Sequence, residues 1–210
     1  MPSIFRTKTH DALRGLPLTG RVVDLGGERG DPYHALFAGT FTVETVNLNT
    51  KTAPDVLADL EAPLPFKDEE YDGAILMNVL EHVLEAQQLV RETHRVLKTG
   101  SVAYAVVPFL FPIHPSPKDF HRFTSDALVH LFARGGFKSV KVQVIGGGVF
   151  TVRHLLISRL YPRPLAAVIE PIGAWCAQMC DRIFAALARS SGKGYRPEHY
   201  PLGYLVEAKK

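Results

Sequence analysis

Two short stretches of this sequence concentrate side chains that could do chemistry, and both are rich in histidine. The first is LEHV at residues 80–83, and the second is the proline-rich segment 108–124. The histidine side chain exchanges its proton near neutral pH, and the arginine side chain binds anionic groups through a planar fork. Such side chains can hold a polar acceptor and take a proton from it. The candidate catalytic residues are His82, His114, His121 and Arg122.

Each candidate also has a purely structural interpretation. His82 could instead cap a helix and bond to the backbone. Asp119 and Arg122 stand three residues apart and could pair with each other. In the functional interpretation, His114, His121 and Arg122 contact an anionic or polyhydroxylated acceptor. The sequence leaves both interpretations open.

A third candidate site is the turn after the first predicted strand, where Asp24 is followed by Gly26, Gly27 and Gly30. Glycine permits positive φ and lets backbone N–H groups approach a ligand closely. A dinucleotide fingerprint is lacking, because Glu28 occupies the place of its second glycine, and no phosphate loop follows. An aspartate here would repel phosphate and suit a cationic group such as an α-ammonium or a sulfonium. An ordinary strand-to-helix turn is the alternative.

Alternating apolar runs and amphipathic stretches supply the elements that would position these residues. Strands that alternate with helices predict a mostly parallel sheet with helices on both faces. Such a sheet binds ligands beyond the carboxyl ends of its strands, where the three candidate sites lie. Strands are predicted at 21–25, 41–48, 56–60, 71–77, 101–107, 139–145 and 201–210, and helices at 85–97 and 124–133.

Composition and length are those of one globular domain. The 210 residues are 46% hydrophobic and 21% charged, which excludes a disordered or collagen-like chain. A net charge of +3 is too small to indicate nucleic-acid binding, and none is predicted. Cys176 and Cys180 exclude a disulfide framework and lack neighbouring zinc ligands, so no metal site is predicted. Reduced thiols and an N-terminus without the apolar core of a signal peptide predict a cytoplasmic protein.

Residues 20–146 resemble the class I S-adenosylmethionine-dependent methyltransferases of the small-molecule type, the methyltransferase type 11-like family. VVDLGGERG at 22–30 is similar to the family's VLDLGCGxG, and residues 55–83 are similar to its central block that ends in LEHV. RETHRVLKTGSVAYAVVPF at 91–109 resembles REIxRVLKPGGxLxxxxP. The resemblance implies a methyltransferase (EC 2.1.1.-). Its fold would be a Rossmann-like, seven-stranded, mostly parallel sheet with an antiparallel last strand.

The resemblance also implies which residues hold the cofactor, S-adenosylmethionine. The glycine turn would hold its methionine end, and Asp59 would meet the adenine, unless Asp59 merely caps a turn. Asn47 stands where the family has an acid that pairs with the ribose hydroxyls, and asparagine loses the charge-assisted part of that bond. The implied cofactor-binding residues are Asp24, Gly26, Gly27, Gly30, Asn47, Leu48, Asp59, Leu60, Asn78 and Val79.

The acceptor side has a resemblance of its own. The string H-x-x-P-x-D-[YF]-x-R-[FY]-T, which begins here at His114, resembles a subgroup of methyltransferases linked to cell-envelope glycans or other secondary metabolites. It implies a small-molecule or glycan-type acceptor, and titrating histidines favour O-methylation. The alternative is a non-catalytic protein of the same fold that acts as a scaffold or regulator. Asn47 and the absence of a GCG turn favour that alternative.

Residues 147–200 are predicted to form a helical insertion between the last two strands of a single domain that spans residues 1–210. Helical stretches are predicted at 153–161 and 165–188, with Pro171 and Gly173 interrupting the second. The insertion carries seven basic and three acidic residues, and its charges speak against a transmembrane span. Three roles compete: a lid over the acceptor, a homodimer surface, or a peripheral contact at the inner face of a membrane.

Overall fold

Seven strands form one sheet in a computed structural model that describes residues 3–158, 160–190 and 194–210. Their order is β3-β2-β1-β4-β5-β7-β6, with β7 antiparallel to both of its neighbours and the other pairs parallel. The predicted Rossmann-like sheet with an antiparallel last strand is thereby confirmed. The strands are β1 Gly20–Leu25, β2 Phe41–Asn47, β3 Val56–Leu57, β4 Tyr71–Met77, β5 Leu97–Pro108, β6 Ser139–Gly147 and β7 Pro201–Lys209.

Within the described residues, five α-helices accompany the sheet, and the alternation of side chains along its strands separates two apolar clusters. Val23 and Leu76 belong to one cluster, whereas Val22 and Ile75 point to the other. Helices α2 and α3 pack into the first cluster, and α1 and α4 pack into the second. The helices are α1 Ile4–Leu13, α2 Ala86–Val96, α3 Ser125–Arg134, α4 Val149–Ser158 and α5 Arg163–Ser190.

Helix α1 is an element that the sequence analysis did not predict. Ser3 caps it by accepting a hydrogen bond from the backbone N–H of Arg6 at 3.3 Å. Ile4, Phe5 and Leu13 are buried against the sheet. The helix is otherwise polar, so its sequence has little helical periodicity and its stability comes from this packing.

The two largest differences between predicted and observed strand boundaries are at the end of β3 and the start of β5. Strand β3 ends at Leu57 rather than at residue 60, because Asp59 begins a turn in which its carboxylate accepts from the N–H of Glu61 at 2.9 Å. Strand β5 starts at Leu97 rather than at residue 101, directly after α2. Asp59 therefore caps a turn just after β3. The predicted cofactor site lies at the same end of this strand.

The predicted interruption of the second insertion helix at Pro171 and Gly173 is wrong, because α5 runs through both residues. Proline removes one helical hydrogen bond and crowds the carbonyl four residues before it, but the neighbouring turns of this 28-residue helix continue on both sides. Gly173 has a packing role: a Cβ there would lie 2.6 Å from Cε1 of His154 on α4. The first insertion helix, α4, begins at Val149, and residue 159 of the predicted segment 153–161 lies outside the described residues.

Asp181 joins the two insertion helices. Its carboxylate is buried and accepts hydrogen bonds from the N–H groups of Phe150 at 3.1 Å and Thr151 at 2.8 Å. The hydroxyls of Thr151 and Tyr195 also donate to it. Asp181 thus caps the N-terminus of α4 from a distant helix, and Gly148 leaves room for it, because a Cβ there would clash with its carboxylate.

The outer face of α5 exposes several apolar side chains, and the predicted homodimer or membrane contact would form there. Within the described ranges, none of the helices combines the length and hydrophobicity of a transmembrane span. Cys176 is exposed, Cys180 is half-buried, and both are free thiols. The exposed apolar residues of α5 include Val168, Ile172, Trp175, Ile183 and Phe184.

We expect Asp181→Ala to lower the free energy of unfolding by about 2–3 kcal/mol, because several buried donors lose their acceptor. Denaturant unfolding followed by circular dichroism measures the change. Arg182→Ala is the matched control on an exposed neighbouring position of the same helix and should change stability by less than about 0.5 kcal/mol. Equal effects of the two substitutions would show that Asp181 does not join the helices.

Candidate active site

Two adjacent cavities open at the carboxyl ends of β1, β2 and β4. Their volumes are about 830 Å³ and about 520 Å³. Gly26, Asn78, His82 and Ser116 line both. Because these residues are shared, a ligand in one cavity lies next to a ligand in the other. This edge is where a parallel sheet binds its ligands.

The larger cavity brings together residues from three strand ends. Leu48, Leu60 and Val79 provide apolar surface, and Asn47 and Asp59 provide polar atoms. Such a wall suits a ligand with a flat apolar ring and polar edges. All five residues were predicted from the sequence as cofactor contacts, and the fold places them on one cavity.

The three glycines of the β1 turn differ in what they do. Gly26 has φ +90°, and a Cβ there would lie 2.5 Å from Cγ2 of Val79. A Cβ on Gly27 would overlap the Asp24 carboxylate. Gly30 also has positive φ, at +80°, but nothing lies within 4 Å of a Cβ built there. Gly26 lines both cavities, whereas Gly27 and Gly30 shape the turn from outside their walls.

Asn47 binds the glycine turn through its side-chain amide. Its Nδ2 donates to the carbonyl of Gly26 at 2.9 Å and to that of Gly27 at 3.3 Å. Its Oδ1 accepts from the N–H of Asn49 at 3.0 Å. A carboxylate could make the last contact but could not donate to the two carbonyls. Asparagine, which stands where the resemblance implies an acid, therefore makes hydrogen bonds to the backbone of this turn that an acid could not make.

Asp24 lies behind the cavity wall rather than on it. Its side chain is fully buried, and Oδ2 accepts from the Tyr33 hydroxyl at 2.5 Å and lies 2.6 Å from Nε2 of His34. Burial raises the pKa of Asp24, and the hydrogen bonds from His34 and Tyr33 oppose that shift. Oδ1 has no hydrogen-bond partner within the described part of the chain. Tyr33, which the sequence analysis did not predict, lines the smaller cavity in front of it.

Helix α1 forms one wall of the smaller cavity. Arg6, Thr9 and His10 bring polar groups, and Phe5 brings an aromatic ring that contacts Phe111 with ring centroids 5.3 Å apart. None of these side chains was predicted as a site residue. The sequence signal that could have predicted α1 is Ser3 followed by Ile4, an N-cap residue before an apolar one.

Glu81, His82 and His114 meet beside the junction of the two cavities. His82 lines both cavities and His114 the smaller one, whereas Glu81 lies behind them, outside both walls. Oε1 of Glu81 lies 3.6 Å from Nε2 of His114 and 3.8 Å from Nε2 of His82. Glu81 is fully buried, and among the described residues neither of its carboxylate oxygens has a hydrogen-bond partner. The carboxylate raises the pKa of His114, and burial opposes that shift. The sequence analysis predicted the neighbouring His82 but not Glu81 as a site residue.

His121 and Arg122 lie outside both cavity walls. Nε2 of His121 is 3.1 Å from the carbonyl of Leu84. Arg122 forms a two-point ion pair with Asp119, at 2.5 and 2.7 Å, and this bond holds the pKa of Asp119 well below its usual range. Asp119 also accepts from the N–H of His114 at 2.9 Å. Of the four catalytic candidates, the structure thus brings His82 and His114 together, and Arg122 supports His114 through Asp119.

Residues 28–105 match the family model of the methyltransferase domain. An uncharacterized protein of Methanocaldococcus jannaschii is 25% identical over 152 residues, which are 66% of this chain and 74% of that protein.

Solved structures share the fold at low sequence identity. A Thermotoga maritima protein described as an S-adenosylmethionine-dependent methyltransferase, possible histamine N-methyltransferase, matches with a TM-score of 0.60 at 15% identity, over 99% of this chain and 89% of that chain. The [4+2]-cyclase SpnF matches with 0.61 at 18%, over 98% and 81%. A phosphoethanolamine N-methyltransferase of Haemonchus contortus, solved with S-adenosylhomocysteine, matches with 0.59 at 13%, over 96% and 52%.

We expect Asn47→Asp to lower the free energy of unfolding by about 1–2 kcal/mol, although aspartate is the residue that the resemblance implies. A carboxylate would face the carbonyls of Gly26 and Gly27 and leave them without their donor. Denaturant unfolding at neutral pH measures the change. Asn49→Asp is the control, because Asn49 only accepts through its side chain, from the N–H of Lys51. A variant as stable as the parent would show that the amide does not hold the turn.

Proposed function

Because the chain belongs to the class I S-adenosylmethionine-dependent methyltransferases, we propose that this enzyme methylates a hydroxyl group of a small-molecule or glycan-type acceptor. The observation that carries the proposal is the Glu81–His82–His114 cluster at the junction of the two cavities. It places electron-pair donors where a cofactor in the larger cavity would meet an acceptor in the smaller one.

The larger cavity fits S-adenosylmethionine by the chemistry of its walls. Leu48 and Leu60 offer apolar faces for an adenine ring, and Asn47 and Asn49 offer polar groups for ribose hydroxyls. Toward the junction, the Oδ1 atom of Asn78 is buried, with no hydrogen-bond partner among the described residues, and so awaits a donor from a ligand. When bound, the cofactor supplies an electrophilic methyl group on a sulfonium.

The fold fixes the tautomers of the two histidines in the cluster. Nδ1 of His82 lies 2.6 Å from the carbonyl of Lys118, and Nδ1 of His114 lies 3.1 Å from that of Pro112. A carbonyl only accepts, so each Nδ1 carries a proton, and in the neutral ring each Nε2 keeps a lone pair. Two nitrogen lone pairs and the Glu81 carboxylate therefore converge at the junction, where an acceptor hydroxyl can lose its proton.

The smaller cavity supports a polar acceptor. Arg6, His10 and Asp31 place charged or titratable groups on its wall, and Phe5 and Phe111 place aromatic rings beside them. Donors, acceptors and ring faces together suit a polyhydroxylated molecule, because hydroxyls need hydrogen-bond partners and sugar faces stack on aromatic rings. These groups come from α1, from the turn after β1 and from the loop after β5.

Cofactor binding can be tested with a matched pair of glycine variants. We expect Gly26→Ala to weaken S-adenosylhomocysteine binding more than about tenfold, because its Cβ would displace Val79, which lines the cavity. Gly30→Ala carries a similar positive-φ cost without a clash and should stay within about threefold of the parent. Isothermal calorimetry measures both constants. Failure of the parent protein to bind at millimolar cofactor would refute the enzymatic proposal.

Methyl transfer can be tested with labelled S-adenosylmethionine and a panel of sugars, glycosides, phenols and primary amines, with products read by mass spectrometry. We expect label in ethers of hydroxylated acceptors. His114→Gln should lower turnover at least about 100-fold while S-adenosylhomocysteine affinity stays within about threefold. His130→Ala, an exposed position on α3, should match the parent. Methylation of amines alone would contradict the proposal, and cofactor binding with no product from any acceptor would favour the non-catalytic alternative.

A further inference from the structure

We propose that Glu81, His82 and His114 bind a divalent transition-metal ion at the junction of the two cavities, an inference that rests on the proposed function and deepens it. The ligating atoms of the three residues all lie within 4.8 Å of one another. Around an ion with bonds of about 2.1 Å, neighbouring ligand atoms are about 3.0–3.4 Å apart. The observed separations of 3.6 and 3.8 Å need to close by only a few tenths of an ångström.

Both histidines have the second contact that metal-binding imidazoles make. The carbonyls of Lys118 and Pro112 hold the two Nδ1 atoms, so the Nε2 lone pairs face the Glu81 carboxylate. Hydrogen bonding of the far nitrogen to a backbone carbonyl fixes ring orientation and raises the basicity of the ligating nitrogen. An imidazole that merely fills space does not require this arrangement on two rings at once.

Among the described residues, neither oxygen of the buried Glu81 carboxylate has a hydrogen-bond partner, although two imidazoles face Oε1 at 3.6 and 3.8 Å. Burying an ionised carboxylate without partners is costly, and such groups are usually paired or bound to a metal. The backbone of Glu81 is nevertheless fixed, because its carbonyl accepts from the N–H groups of Phe120 at 2.7 Å and His121 at 3.2 Å. The carboxylate is therefore held between the two imidazoles by the chain itself, and a cation would compensate its charge.

The loop after β5 fixes the position of His114, the third proposed ligand. Asp119 accepts from the N–H of His114 and pairs with Arg122, which also donates to the carbonyl of Pro112 at 3.3 Å. The same guanidinium thus supports the carbonyl that holds Nδ1 of His114. This network preserves the position of the ring in the absence of an ion, which lowers the entropy lost on binding.

The ligand set identifies the kind of ion. Two imidazoles and one carboxylate favour zinc and its first-row neighbours over magnesium or calcium, which prefer oxygen. Three protein ligands leave a coordination position open, as in catalytic zinc sites. A hydroxyl of the acceptor in that position would have a lowered pKa and release its proton to solvent. The oxygen of the acceptor would then bond to the methyl carbon of the cofactor. The carbon–sulfur bond would break, and its electron pair would stay on sulfur.

The test uses Co²⁺ as a spectroscopic probe on protein freed of metal by chelation and dialysis. We expect about one equivalent of Co²⁺ to produce visible d–d absorption, and Zn²⁺ to abolish it by displacement. Glu81→Gln and His114→Gln should each weaken Co²⁺ binding at least about tenfold. His130→Ala should leave binding unchanged. Absence of the absorption in the parent protein, or equal binding in all four proteins, would overturn the proposal.

A second measurement separates folding and cofactor effects from metal binding. Zn²⁺ should raise the melting temperature of the parent protein and of His130→Ala but not that of Glu81→Gln or His114→Gln, whose folding is checked by circular dichroism. If one of these two variants does not fold, His82→Asn replaces it. Calorimetry with S-adenosylhomocysteine is run on the same metal-free samples. Intact cofactor binding without metal binding overturns the metal site alone, whereas lost cofactor binding in the parent overturns the proposed function.

Discussion

The close approach of the β1 turn to the segment after β4 is the contact on which the rest of the site depends. Gly26 packs against Val79 at a distance that no Cβ would permit. This packing puts the glycine turn beside Asn78 and His82, so the two cavities become neighbours. Asn47 then fixes the turn from the side of β2 with its amide, and a carboxylate in its place could not donate to those carbonyls.

Two buried carboxylates flank this contact, and the fold treats them differently. Oδ2 of Asp24 receives a hydrogen bond from Tyr33 and lies beside His34, whereas Oδ1 has no hydrogen-bond partner among the described residues. Glu81 faces two imidazoles without a hydrogen bond among the described residues. A buried charge that the protein partners internally serves structure, whereas one that it leaves unpartnered beside a cavity is suited to an external cation.

The sheet was predictable from the sequence because its strands are short apolar runs bounded by turn residues, and β4 matches its predicted bounds of 71–77. The lining of the larger cavity was predictable too, because Asn47, Asp59 and Asn78 stand at or just after the predicted strand ends, and strand ends meet at one edge of the sheet. Helix α1 was missed because tertiary packing, rather than periodicity, stabilises it. Glu81 was missed because an acid beside a histidine in sequence carries no sign that its side chain is buried next to a second histidine from a distant segment.

In the loop after β5, the residues of the motif that begins at His114 bind one another. Its spacing places the Asp119 carboxylate between the N–H of His114 and the guanidinium of Arg122. A charge pair of this kind has little value in open solvent, but here Asp119 is almost fully shielded, so the pair fixes the loop. Sequence alone left both an anion-binding arginine and an Asp119–Arg122 pair open, because residue type indicates what a side chain can bind and not what it already binds. The loop instead positions the imidazole of His114, whose Nε2 lies 3.6 Å from Oε1 of Glu81.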